Sequence, residues 1–159
     1  MIDEIKIYEC EVENVGDSVK ELWVALAHEM FDIEHFTLPS EANGDRWVKF
    51  VRESLANGSN FLLVAKSGNR LVGFAFASVR RDYPLDVAEF AGSIDDVYVL
   101  PEFRGSGIGK RLVVECLKKM KAQGMDSVRL TVLTENKIAI KLYERLGFRI
   151  YRYEMITRL

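Results

Sequence analysis

Cysteine and histidine are both scarce, with two of each in 159 residues. Cys10 and Cys116 lie far apart, in neither a disulfide framework nor metal-ligand spacing, and they fit a reducing compartment. His28 and His35 bracket the segment His28-Glu29-Met30-Phe31-Asp32-Ile33-Glu34-His35, where Asp32 stands at the i+4 place that a zinc-protease helix gives to its second histidine. No metal site is expected. Long apolar runs are also missing: residues 61–65 form one of the longest, far short of the ~18 residues of a membrane span. The first residues, Met1-Ile2-Asp3-Glu4, show neither the basic nor the apolar region of a secretory signal, so a cytoplasmic protein with no membrane partner is expected. Proline is rare, and there is no Pro/Ser-rich linker, low-complexity stretch or internal repeat, so one domain over residues 1–159 is expected. A basic surplus is missing too: 22 basic against 24 acidic side chains leave a net charge of −2, which argues against a nucleic-acid partner.

What is present is 48% apolar residues, and a chain of this length buries roughly two-thirds of its unfolded surface, enough for its own core. The charge is unevenly placed. From Pro101 onward there are 13 basic and 6 acidic residues (+7), leaving 9 and 18 (−9) in the first hundred. Such halves suit two ligand surfaces of opposite polarity, or simply helix faces that differ in charge.

Ile5 and Ile7 alternate with charged residues over 4–10, the period of a half-buried strand. Asp17 or Ser18 can cap a helix whose apolar face is Val19, Leu22, Trp23, Leu26 and Met30. An irregular stretch is expected over 31–40, then a helix from about Asp45 with Trp47, Val48, Val51 and Leu55 inward. Residues 61–66 and 71–79 read as a hairpin, 80–92 as a loop and 94–100 as a strand ended by Pro101. A helix over 107–123, a strand over 127–133, a helix capped by Asn136 and a last strand over 148–157 complete a mixed α/β chain with one sheet. Trp23, Trp47 and Cys116 read as packing residues.

The richest segment is Val97-Tyr98-Val99-Leu100-Pro101-Glu102-Phe103-Arg104-Gly105-Ser106-Gly107-Ile108-Gly109-Lys110, in which a strand ends and three glycines open a helix. Glycines let a ligand approach the main chain, and the free N–H groups and dipole of a helix start favour an anion. Arg104, Lys110 and Arg111 add positive charge. A P-loop would need glycine where Arg104 stands and Ser or Thr where Arg111 stands. A dinucleotide loop would need glycine at Lys110.

The pattern Arg104-x-x-Gly107-x-Gly109 after a Val-x-Val strand resembles the pyrophosphate loop of the GNAT superfamily of acyl-CoA-dependent N-acyltransferases. Asn136-x-x-Ala139-x-x-x-Tyr143-x-x-x-Gly147-Phe148 is similar to that family's following helix, in the same order with one strand between. The resemblance covers roughly residues 60–148. It implies a mixed, mostly antiparallel sheet splayed at the cofactor strand and flanked by about four helices. It implies acetyl-CoA as cofactor, with the main chain of Val97, Tyr98 and Val99 beside the pantetheine arm and the backbone of Arg104, Gly105, Ser106, Gly107, Ile108, Gly109 and Lys110 around the pyrophosphate. Asn136 would contact the pantetheine region. A strand bulge is expected near Tyr98 or Val99, its free N–H available to an oxyanion.

Acetyl transfer to an amine needs a base, an oxyanion site and an acid for the leaving thiolate. Tyr143 suits the acid role. Asp95 and Asp96 precede the cofactor strand as candidate bases, with Asp95 ahead, and strand alternation lets only one of them face the site. Phe31, Glu34, His35, Tyr83 and Glu89 are expected to line the acceptor pocket. Their carboxylates and aromatics suit a cationic primary amine: a polyamine, an aminoglycoside-like amine, or a peptide lysine or N-terminus. A non-catalytic acyl-CoA sensor on the same fold is the alternative. Only one strand fits after Phe148, and an open sheet edge tends to be covered, so a homodimer is expected.

Overall fold

β2 (Phe61–Ser67) is apolar at five successive positions, and side chains alternate across a strand, so it needs cover on both faces. A computed structural model, describing residues 4–81 and 90–159, supplies that cover. β1 (Ile5–Glu9), β2, β3 (Arg70–Arg81) and β4 (Phe90–Val99) form an antiparallel sheet in chain order, and β5 (Val128–Leu130) adds to β4 in parallel. α1 (Asp17–Glu34) and α2 (Glu41–Leu55) lie on one face, over Leu62, Val64, Phe74, Phe76 and Tyr98. α3 (Ile108–Ala122) covers the other, over Phe61, Leu63, Ala75, Ala77 and Ile94, with α4 (Lys137–Arg145) against its edge through Tyr143. This is the mixed, mostly antiparallel sheet with four helices that was expected.

Several boundaries differ, each for a local reason. Gly16, not Asp17 or Ser18, is the residue before α1, and α1 continues through 31–34 to end at His35 in the left-handed region, φ 59°. α2 starts at Glu41 rather than near Asp45, because Ser40 Oγ accepts the Asn43 N–H at 3.1 Å. β4 begins at Phe90, inside the expected loop, because Gly92 and Ser93 pair with both β3 and β5. β5 is three residues long. No strand forms over 148–157, which is exposed from Arg149 onward. There Ile150-Tyr151 and Met155-Ile156 break the period of two, and three-residue β5 offers little edge to extend.

α1 and α2 approach closely at a helical glycine. A Cβ on Gly44 would lie 2.8 Å from Lys20 Cγ, so the Lys20 stem runs where a side chain would stand. Lys20 Nζ then reaches Asp17, Glu41 and Asp45 at 3.4, 3.0 and 3.1 Å, and these bonds hold its ammonium charged well above the usual lysine range.

Gly73 in β3 is equally constrained: a Cβ there would stand 2.8 Å from the main-chain oxygen of Tyr98. No flexible group can yield. Gly73→Ala is therefore expected to lower stability by about 1–3 kcal/mol, read as a lower urea midpoint.

Candidate active site

The site is built around one extra residue in β4. Phe76 pairs with Asp96, and Ala77 pairs with Ile94, so Asp95 has no partner on β3. Such a bulge re-aims side chains. It brings Asp95 to the face that Asp96 already occupies: Asp95 is bonded to Ser78 and Ser93, Asp96 to Trp47 of α2. The expectation that only one of the pair faces the site is corrected, and the bulge lies at Asp95 rather than at Tyr98 or Val99.

The two carboxylates have unlike surroundings. Asp95 accepts Ser78 Oγ–H and Ser93 Oγ–H and pairs with Arg80 Nη2 at 2.8 Å. Asp96 accepts one N–H, from Trp47 Nε1 at 3.1 Å. Burial, only partly offset by the Trp47 bond and reinforced by the neighbouring Asp95 charge, pushes the Asp96 carboxyl up to about 6.

Both line a cavity of about 540 Å³ between α1, α2 and the sheet, walled by Trp23, Met30, Trp47, Phe50 and Phe76. Trp23 stacks on Trp47 with ring centres 5.8 Å apart. The Gly44–Lys20 approach sets this contact, since Trp47 and Trp23 each lie three residues on, along the same helix faces. These two tryptophans, read from sequence as packing, therefore also form cavity wall. Periodicity could not distinguish the roles.

Beyond the bulge β4 leaves β5, whose pairing covers only Gly92, Ser93 and Ile94. The Leu100 N–H donates to the Val72 carbonyl at 2.9 Å, and antiparallel pairs alternate, so Val97 and Val99 aim their main-chain groups away from β3. That edge lacks a neighbouring strand among the described residues. Arg104 turns back onto it: Nε–H donates to the Val99 carbonyl at 2.9 Å, and Nη2 pairs with Glu29 of α1 at 2.7 Å. Arg111 donates to the Ile5 carbonyl. All three basic residues by the loop are exposed, with Arg104 and Arg111 engaged in these bonds.

Gly105 and Gly107 take φ of 78° and 84°, with open space where a Cβ would stand. Gly107 precedes α3, and buried Ile108 anchors the helix start beneath it. Ser106 Oγ–H donates to the Phe103 carbonyl at 2.6 Å, closing the loop on itself. Gly109 has Val99 and Leu142 as nearest neighbours, which brings α4 to the end of β4. Asn136 Oδ1 accepts the Ala139 N–H at 3.1 Å and caps α4. Tyr143, one helical position after Leu142, packs edge-on against Phe148. Burial raises its phenol above the usual tyrosine range, so the proton is retained.

The Acetyltransferase (GNAT) family profile matches residues 22–148. The chain belongs to this family. A mycothiol acetyltransferase of Thermobispora bispora is 36% identical over 104 residues, covering 63% of this chain and 33% of that protein. One of Streptomyces scabiei is 36% identical over 95 residues, 60% of this chain and 29% of the other. The chain thus spans about a third of the length of these relatives. Among solved structures, a GCN5-related N-acetyltransferase of Ralstonia eutropha superposes with TM-score 0.79 at 20% identity, covering 98% of this chain and 99% of that one. The aminoglycoside N-acetyltransferase AAC(6')-Iy in complex with CoA gives 0.73 at 21%, covering 98% and 95%.

In this GNAT chain, Val97, Val99 and Tyr143 all border the core beneath α3, and Asp95 and Asp96 face the aromatic cavity across the sheet. Phe31, Glu34 and His35 sit at the end of α1 beside that cavity, whose wall there is Ala27, Met30 and Thr37. His35 lies edge-on to Phe31, and Glu34 accepts the Thr37 N–H at 2.8 Å. Tyr83 and Glu89 lie outside the described residues. Among the described residues no group of histidine, cysteine and carboxylate side chains could hold a metal, and no helix is long and apolar enough to cross a membrane.

A carboxyl raised from 3.8 to about 6 by folding destabilises the native state once it ionises. Folding stability is then lost as pH rises from about 4 to 6, and the cost persists above that. Asp96→Asn removes this cost while keeping an acceptor for Trp47. It is expected to be more stable at pH 7 by about 1–3 kcal/mol, with the difference closing below about pH 4 in denaturation curves.

Proposed function

We propose that this chain moves an acetyl group from acetyl-CoA to a primary amine by direct attack in a ternary complex, and that the amine arrives as a cation. The observation that carries the reading is the unpaired edge at Val97 and Val99. It runs from the raised carboxyl of Asp96 to the glycine-opened start of α3. An extended amide-bearing arm fits such an edge as an added strand, and a diphosphate fits the N–H groups of residues 105–110. Asn136, whose Oδ1 is committed to its cap, offers its amide N–H toward the same arm.

Asp96 takes the proton from the ammonium, directly or through water. Its surroundings favour it over Asp95, whose oxygens already receive two hydroxyls and a guanidinium. The freed nitrogen lone pair forms the C–N bond as the thioester carbonyl becomes an oxyanion. Collapse of that oxyanion breaks the C–S bond, Tyr143 gives its phenolic proton to the leaving thiolate, and the second proton of the new amide nitrogen passes through water to restore the phenol.

Tyr143→Phe is expected to lower kcat more than tenfold, with acetyl-CoA affinity nearly unchanged by calorimetry. For the base, kcat/KM is expected to fall tenfold per pH unit below about 6, where Asp96 is protonated, once amine ionisation is corrected for. Asp96→Asn abolishes that limb and lowers kcat about a hundredfold or more. An intact limb in this variant reassigns the base.

A further inference from the structure

The cavity beside Asp96 has a composition that selects among cationic amines. Its wall is Trp23, Met30, Trp47, Phe50 and Phe76, and its charged groups among the described residues are Asp95, Asp96 and Arg80. Arg80 already neutralises Asp95 at 2.8 Å, which leaves Asp96 as the one uncompensated anion among the described lining residues. One such charge suits one ammonium. A polycation would press its further charges against the aromatic walls. Of the polar lining residues, Ser78 is bonded to Asp95 and Asn60 to the Ser54 carbonyl and the Val79 N–H, which leaves Thr37 and the Ser54 hydroxyl as few partners for the hydroxyls of a sugar.

The walls are preformed. Trp47 is held between Trp23, stacked at 5.8 Å, and Phe74, edge-on at 5.4 Å, while Phe50 stands edge-on to Phe76 at 5.9 Å. Rings locked by other rings give up little side-chain freedom when a ligand docks. Phe50 is 56% exposed at the rim, a large apolar surface that neither helix covers. A volume of about 540 Å³ fits a small molecule. Trp47 also donates to Asp96, so the surface that would hold the apolar body positions the carboxylate that would meet the nitrogen.

We propose that the acceptor is a monoamine on a flat apolar or aromatic body, its ammonium at Asp96 and its body along Trp23, Trp47 and Phe50. This rests on the acetyltransferase reading and narrows it. The test is thiol release from acetyl-CoA with three acceptors: 2-phenylethylamine, ethanolamine and spermidine. The expected kcat/KM for 2-phenylethylamine exceeds that of either other amine at least tenfold. Phe50→Ala, a change at an exposed position, is expected to shrink the 2-phenylethylamine to ethanolamine ratio at least fivefold. Equal or inverted preference among the three, or a ratio unmoved in Phe50→Ala, overturns the inference. Quenching of tryptophan fluorescence by 2-phenylethylamine is measured in parallel. Saturable quenching without thiol release from any amine upholds the cavity assignment and overturns the transferase reading; thiol release from spermidine alone does the reverse.

Discussion

One unpaired residue in β4 organises the molecule. Without the bulge at Asp95, strand alternation would send Asp95 and Asp96 to opposite sides of the sheet, one of them toward the α3 layer. With it, both carboxylates meet the helices α1 and α2, and their environments diverge. Asp95 is saturated by hydroxyls and Arg80, while Asp96 is left with an indole N–H and a desolvated setting. The same stretch of β4 is where β5 stops accompanying it. A carboxyl made a weaker acid by burial and an open strand edge thus arise within a few residues of each other.

The sheet separates two chemistries. Over one face lie stacked rings and the buried carboxyl of Asp96; over the other lie a buried, mostly aliphatic core and the glycine-led start of α3. The uneven charge along the chain is less direct than it looked. Two of the three cations beside the glycine loop serve the fold, Arg104 by joining β4 to α1 and Arg111 by capping a β1 carbonyl. Among the described residues, only Arg104 of these has its charge offset, by Glu29; Arg111 and Lys110 stay cationic beside main-chain N–H groups of the kind that favour an anion.

Features set by near neighbours in the chain were legible in advance. Asn136 caps α4, Gly107 opens α3 and residues 67–70 turn a hairpin, because a cap or turn depends on a few adjacent residues. Features set by register or by long-range contact were not. Nothing in Ile94-Asp95-Asp96-Val97 marks a bulge, which exists only relative to β3. Trp23 and Trp47 share a helical period with core residues, and only the packing of α1 on α2 shows that their rings also bound a cavity. The early start of α2 had a local signal, Ser40 three residues before Asn43, that the weaker periodic pattern from Asp45 obscured.

Gly44 has an implication of another kind. It is not part of the cavity lining, yet the distance between α1 and α2 at that turn bears on how deeply Trp23 and Trp47 overlap one turn further on. It behaves as a shim: a methyl added there would widen the slot, and the bare hydrogen keeps it narrow. The width of the cavity can therefore drift through a residue outside its lining, leaving the carboxylates and the strand edge untouched.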